Sequence, residues 1–128
     1  MKPIVNIVEY GVAEILVPHL ERRVHVSLDR EKALKYGCVD YHEPQLTTEA
    51  TTAYNTVSGC YVALWFKHAS PRAGTVAHEC LHALNIIHDY VGINADRSND
   101  ETDTYMLGYL VDGVCSALRM LNKQENNQ

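Results

Sequence analysis

The chain has 128 residues, enough for one hydrophobic core, and its hydrophobic and charged fractions of 46% and 21% are close to those of soluble globular proteins. These values exclude a disordered or fibrous protein and predict a single domain over residues 1–128. The formal net charge of −5 argues against nucleic acid as a partner, because binding to phosphate depends on clustered Lys and Arg.

The lengths of the apolar runs and the spacing of the cysteines further restrict the class of protein. No run approaches the roughly 18 apolar residues of a membrane span, and the first residues lack the apolar stretch of a secretion signal. We therefore expect a cytoplasmic protein with no membrane partner. The cysteines include no C-x-x-C pair and are expected to be reduced packing residues. They are Cys38, Cys60, Cys80 and Cys115.

The first half of the chain shows short segments rather than one long period. Pro18 interrupts the segment from Val12 to Leu20, which is therefore ambiguous between helix and strand. The region from Val39 to Thr56 is polar and predicts a loop or an irregular strand. The clearer elements are two strands, Pro3 to Val8 and Val24 to Leu28, and a short helix, Arg30 to Tyr36, that ends at Gly37.

The second half gives stronger patterns. Gly59 to Lys67 is rich in aromatic and β-branched residues, which predicts a strand that we expect at the edge of the sheet. Apolar residues then recur at spacings of three and four residues from about Gly74 through Tyr90, which predicts a helix. After a polar loop from Ile93 to Asn99, a second apolar stripe predicts a helix to about Leu121. The polar tail from Asn122 is expected to be frayed.

The first long helix carries the sequence His78-Glu79-Cys80-Leu81-His82, the H-E-x-x-H pattern of zinc peptidases. Residues four apart lie on one face of a helix, so both imidazoles can bind one tetrahedral Zn²⁺ at about 2.0–2.1 Å. Glu79 then lies beside the metal and can act as general base toward a water whose pKa zinc lowers to about 7. Cys80 is expected to point away, into the core. The alternative is that the five-residue motif occurs by chance in a domain that binds no metal.

Glu101 lies nineteen positions beyond His82, at the start of the second long helix. From Tyr61 to about Leu121 the chain resembles the gluzincin class of metallopeptidases, including short phage-encoded and bacterial members. The resemblance implies a protein of the bacterial or phage-infected host cytosol. In that class a Glu from a following helix completes the H-E-x-x-H site, so the resemblance implies Glu101 as the third zinc ligand. It also implies a carboxylate that orients a zinc-bound imidazole, for which Asp100 or Asp103 is available.

Glu101 has a second interpretation that needs no metal. The segment Ser98-Asn99-Asp100-Glu101 fits a capping box, in which Ser98 caps the helix and Glu101 reaches back to a backbone N–H group. Tyr105 follows Glu101 by one helical turn and Tyr109 by two, so either hydroxyl can polarise a substrate carbonyl. We name Tyr105 as a candidate catalytic residue; both tyrosines can equally be interface aromatics.

His88 is the alternative third ligand. The segment from His78 to His88 is similar to the metzincin pattern H-E-x-x-H-x-x-G-x-x-H, with Asn85 in place of its Gly. Asn adopts the left-handed conformation at a higher cost than Gly, and Met106, the candidate Met-turn, lies within a helical stripe. Without a metal, His88 is a helix-end residue favoured by the dipole. The other histidines show no ligand spacing and are expected at the surface: His19, His25, His42 and His68.

Together these patterns predict an α+β, zincin-like fold, with a small mixed or antiparallel sheet packed on the H-E-x-x-H helix and a second long C-terminal helix. The expected function is a zinc-dependent peptidase acting on a peptide or protein substrate, with Glu79 as general base. An extended peptide can add to the strand at Tyr61 to Lys67 if that strand is the edge. The alternative is a non-catalytic zinc-binding interaction or inhibitory protein of phage or bacterial type.

Overall fold

The alternating segments of the first half form strands of a five-stranded mixed sheet, seen in a computed structural model of the chain. The structure describes residues 2–18, 21–37, 48–57, 59–92 and 101–127, with the side chains of residues 101 and 102 excepted. The elements, in chain order, are β1 (Ile4–Glu9), β2 (Val12–Val17), β3 (Arg22–Ser27), α1 (Arg30–Gly37), β4 (Ala50–Asn55), β5 (Tyr61–Phe66), α2 (Ala73–Val91) and α3 (Glu101–Asn126). The α+β class predicted from the sequence is confirmed.

The strand order in the sheet is β1-β2-β3-β5-β4. β1, β2 and β3 form an antiparallel meander, β3 and β5 are parallel, and β4 is antiparallel to β5. A parallel pair requires a crossover connection, and α1 lies within the connection that leads from β3 to β5. β4 therefore occupies the outer position next to β5, as an edge strand.

The two faces of the sheet are covered by different helices. On one face α2 and α3 pack together over the main core. On the other face lies α1, where Tyr36 stacks on His25 of β3 with ring centroids 4.3 Å apart. The end of α1 approaches the sheet so closely that a Cβ on Gly37 would lie 2.7 Å from the Cβ of Ala63. Core residues between the sheet and the helices α2 and α3 include Val24, Val26, Leu64, Phe66, Leu84, Leu110 and Val114.

Side-chain hydrogen bonds join helix α3 to the N-terminal hairpin, which is formed by β1 and β2. The hydroxyl of Tyr109 donates to the backbone oxygen of Leu16 at 2.7 Å and accepts from the backbone N–H of Ile4 at 3.0 Å. Near the other end of the helix, the side-chain oxygen of Gln124 accepts from the backbone N–H of Gly11 at 3.0 Å. This second contact lies in the tail that the sequence predicted to be frayed, and α3 remains helical there.

Two sequence-based expectations about the sheet are corrected or resolved. The segment that was ambiguous because of Pro18 forms strand β2, whose residues are mostly buried. The expectation that Tyr61 to Lys67 is the edge strand is wrong, because β5 lies between β3 and β4. Val62, Ala63 and Leu64 are buried in succession, which requires cover on both faces and is typical of a central strand.

The cysteine and histidine expectations have mixed outcomes. Cys80 is fully buried in the core, as expected, and burial raises the pKa of its thiol to about 12. Cys60 and Cys115 are free and half-buried, as the expectation of reduced cysteines requires.

His25 is not a surface residue, since it is half-buried between Tyr36 and Glu14. Outside the described residues lie Cys38, His19, His42 and the part of the predicted polar region from 39 to 47. Within the described residues, none of the helices combines the length and apolar character needed to cross a bilayer.

Candidate metal centre and adjoining cleft

Helix α2 presents one face to the core and another to a cleft. Its buried side chains recur at helical spacing, so His78 and His82 fall on the exposed side. The helix ends at Gly92, which adopts the left-handed conformation with a φ of 81° and whose N–H bonds back to the carbonyl of Asp89. This helix is continuous from Ala73 to Val91, as the hydrophobic period predicted.

The two exposed imidazoles point at a common position. The Nε2 atoms of His78 and His82 are 3.1 Å apart, and the rings are nearly perpendicular, at 83°. Two zinc–nitrogen bonds of about 2.0–2.1 Å at a tetrahedral angle separate the nitrogens by about 3.3 Å, close to the observed distance. In the absence of a metal, the same distance suits a hydrogen bond from one ring to the other.

Glu79 completes a group that can hold a metal ion. One ligand atom from each of His78, Glu79 and His82 lies within 4.8 Å of the other two. Glu79 is only 6% exposed, whereas the two imidazoles are exposed. The arrangement therefore places two imidazole nitrogens toward solvent, with a carboxylate beside them at the wall of the cleft.

Strand β4 supplies the facing wall and contacts Glu79 directly. The hydroxyl of Thr52 lies 3.2 Å from Oε2 of Glu79 and 3.4 Å from the backbone oxygen of the same residue. An ionised carboxylate can only accept hydrogen bonds, so Thr52 Oγ1 is the donor to Oε2. This contact holds the Glu79 side chain in place at the edge of the sheet.

The cleft between β4 and α2 has a volume of about 780 Å³ and extends from the metal-binding group toward the C-terminal end of α2. Along β4 it is lined by residues from Ala50 to Thr56, and along α2 by residues from Glu79 to Tyr90. A second recess of about 350 Å³ continues on the other side of His78, where Glu49 and Thr75 contribute to the wall. Glu79 and Ala50 line both spaces, so the metal-binding group lies where they meet.

The structure does not bring His88 to this group. His88 lies six residues beyond His82, which corresponds to about 9 Å along the helix axis. It is buried, and its Nδ1 is 3.6 Å from Oδ1 of Asp103 on α3. The helix also continues through Asn85 without the break on which the metzincin-like alternative depends. Asp103, considered as a partner for a zinc-bound imidazole, contacts His88 instead.

The other candidate ligand and catalytic residues lie on α3, and the structure describes them to different extents. Glu101 is the first residue of the helix, but its side chain lies outside the described residues, as do Asp100 and the capping segment from Ser98. Tyr105 is 49% exposed and is not among the residues that line the cleft. Tyr109 is 4% exposed and its hydroxyl faces the N-terminal hairpin, so it is an interface aromatic and not a group beside the metal-binding cluster.

Several cleft residues were missed by the sequence analysis. Thr52 and Tyr54 lie on β4, in a region that was read only as a loop or an irregular strand. Asp89 and Tyr90 lie in the last turn of α2, and the sequence analysis placed them in the predicted helix without assigning them a role. The sequence signal for β4 was weak, because Thr and Tyr favour strands but the segment shows no regular alternation of apolar and polar residues.

Comparison of the chain with protein-family models, with curated proteins and with solved structures found no match.

Proposed function

We propose that the protein is a zinc-dependent peptidase of gluzincin type, in which Glu79 acts as general base. The observation that carries the proposal is the 3.1 Å separation of two exposed imidazole nitrogens beside a nearly buried carboxylate. A purely structural zinc site needs no such carboxylate and is normally closed by four ligands. His78 and His82, both exposed to the cleft side, suit a site that substrate can reach.

The donor set suits zinc, because neutral imidazole nitrogens four residues apart on a helix are ligands that Zn²⁺ prefers. His78 and His82 would hold the ion, with Glu101 as the proposed third ligand. When bound, zinc polarises a carbonyl group and lowers the pKa of water to about 7. Glu79 takes up the proton of the attacking water and then delivers it to the amine that leaves. Thr52 keeps the Glu79 carboxylate oriented for both transfers.

The substrate is proposed to be an extended peptide that pairs with β4. An edge strand presents unpaired N–H and C=O groups on its outer side, and peptides commonly add to such edges as a further strand. β4 is the edge strand that borders the cleft, and its contact with Glu79 through Thr52 places this edge next to the metal-binding group. A peptide paired there would pass its carbonyl groups in front of His78 and His82.

The decisive experiment compares the wild-type protein with Glu79→Gln and His78→Ala, using zinc stoichiometry and cleavage of an internally quenched peptide library. We expect the wild type to cleave peptides with zinc and to stop after chelation. Glu79→Gln should bind zinc equally well but lose roughly 10²- to 10⁴-fold in rate. His78→Ala should lose both zinc and cleavage. Equal cleavage by Glu79→Gln and wild type would refute the role of Glu79.

The competing function, a non-catalytic zinc-binding interaction or inhibitory protein, predicts a different pattern with the same variants. It requires zinc binding by the wild type and no zinc-dependent cleavage of any peptide in the library. In that case Glu79→Gln and wild type would be indistinguishable in both measurements, whereas His78→Ala would still lose zinc.

A further inference from the structure

We infer that the end of the cleft formed by Tyr54, Asp89 and Tyr90 binds a Lys or Arg side chain of the peptide substrate. The inference deepens the proposed function and rests on it, since it assigns a side-chain preference to a cleft that runs from the metal-binding group. These three residues line the cleft together with Glu79 and His82.

The charge of the cleft favours a cation. Its described lining contains two carboxylates, Glu79 and Asp89, and no Lys or Arg. Asp89 lies in the last turn of α2, where the helix dipole has its negative end and a carboxylate is unfavourable. Among the residues that the structure describes, no cation forms an ion pair with Asp89. A positively charged ligand would relieve the repulsion between this carboxylate and the helix end.

Two aromatic rings accompany the carboxylate. Tyr54 and Tyr90 are both exposed in the cleft, and aromatic faces attract guanidinium and ammonium groups. Tyr90 already shows this chemistry within the chain, because the guanidinium carbon of Arg22 lies 5.2 Å from its ring centroid. Arg22 does not itself line the cleft. A carboxylate that lines the same cleft as two tyrosines is a suitable receptor for a basic side chain.

The position of Asp89 sets the place of this side chain in the substrate. Asp89 lies seven residues beyond His82, which is about 10 Å along the helix axis. An extended peptide advances about 3.3 Å per residue, so this distance corresponds to three residues. The basic residue is therefore expected about three positions from the peptide bond that faces the metal-binding group.

The test measures binding, with zinc-loaded Glu79→Gln protein that leaves peptides intact. Probes are blocked nonapeptides of Ala and Thr that carry a single Lys, Gln or Glu at each position in turn, titrated by NMR. We expect Lys to bind about three- to tenfold more tightly than Glu at one position. Adding Asp89→Lys should reverse this preference. Asp112→Lys is the matched control, since it changes the net charge equally on the exposed side of α3 and should leave the preference intact.

Each result supports or overturns the inference. Equal binding of Lys and Glu peptides, no binding of any of them, or an equal effect of Asp112→Lys and Asp89→Lys would overturn it. The same peptides incubated with wild-type protein test the proposed function separately. Charge-selective binding without cleavage contradicts the peptidase and leaves the basic-residue site, whereas cleavage without selectivity contradicts the basic-residue site alone.

Discussion

The Thr52 hydroxyl on β4 lies 3.2 Å from the Glu79 carboxylate on α2, and so joins the edge of the sheet to the metal-binding helix. Glu79 is nearly buried, so few solvent contacts compete with this hydrogen bond. Hydrogen bonds to charged groups are stronger than those between neutral groups and hold the charged partner in a defined orientation. Thr52 is therefore a positioning residue for the proposed base.

Thr52→Val should lower kcat for peptide cleavage by about tenfold, because it removes the hydroxyl while keeping the shape of the side chain. Zinc affinity should be unchanged, since Thr52 contacts only Glu79 within the metal-binding group. Thr52→Ser retains the hydroxyl and serves as the control, with nearly wild-type kcat. A fall in kcat with the serine variant as large as with valine would show that the hydrogen bond is not the cause.

The third zinc ligand can be identified by competitive zinc titration of three variants. Glu101→Gln should weaken zinc binding by more than about tenfold, whereas His88→Gln should leave it unchanged. The first turn of α3 lies beside the end of α2, because Nδ1 of His88 is 3.6 Å from Oδ1 of Asp103. Glu49→Gln is the comparison, since Glu49 lines the recess beside His78. Weaker zinc binding in Glu49→Gln alone would assign the ligand to Glu49.

The two tyrosines of α3 should respond differently to removal of the hydroxyl group. Tyr109→Phe should lower the free energy of unfolding by about 1–2 kcal/mol, because the hydroxyl bonds to two backbone groups of the N-terminal hairpin. Tyr105→Phe should change stability by less than about 0.5 kcal/mol, since Tyr105 is exposed. Urea unfolding of both variants checks these values. Tyr105 does not line the cleft, so Tyr105→Phe should leave kcat unchanged. A loss of kcat would instead support the catalytic role predicted for Tyr105 from the sequence.

The stability of the metal-free protein should fall as the pH drops below about 6.5. Burial lowers the pKa of His25 below its usual value of 6.5, although Glu14, 3.1 Å from its Nε2, partly offsets the effect. The unfolded chain then takes up a proton at a pH where the folded protein does not, which favours unfolding. Melting temperatures at pH 7.5 and 5.5 should therefore differ more for wild type than for His25→Gln.

His68→Gln is the matched control for this measurement, because His68 is exposed. Its melting temperature should change with pH as that of the wild type does. If His25→Gln also lost as much stability as wild type between the two pH values, the buried imidazole would not be the source of the pH dependence.

Local patterns account for the parts of the fold that the sequence predicted well. The helix α2 and the approach of His78, Glu79 and His82 depend only on residues within five positions of each other, and helical geometry determines their spacing. The strand at Tyr61–Phe66 was also evident from its composition. Its place in the sheet was mispredicted, because aromatic and β-branched residues indicate a strand without stating which neighbours cover it.

The parts that were missed depend on contacts between distant segments. Thr52 and Glu79 are 27 positions apart, and no local period in the polar segment around Thr52 indicates that it pairs with β5 or faces α2. An edge strand needs an apolar side chain only on its covered face, so its composition resembles that of a loop. The same holds for Asp89, which reads as an ordinary surface residue until β4 is placed opposite it.

The hydrogen bonds between the N-terminal hairpin and α3 have a consequence for synthesis of the chain. They join Ile4 to Tyr109 and Gly11 to Gln124, which are 105 and 113 positions apart. A ribosome must therefore release the chain through Gln124 before the first hairpin acquires both of these partners. During translation this hairpin is available to chaperones and proteases, and contacts of such long range are expected to slow the final stage of folding.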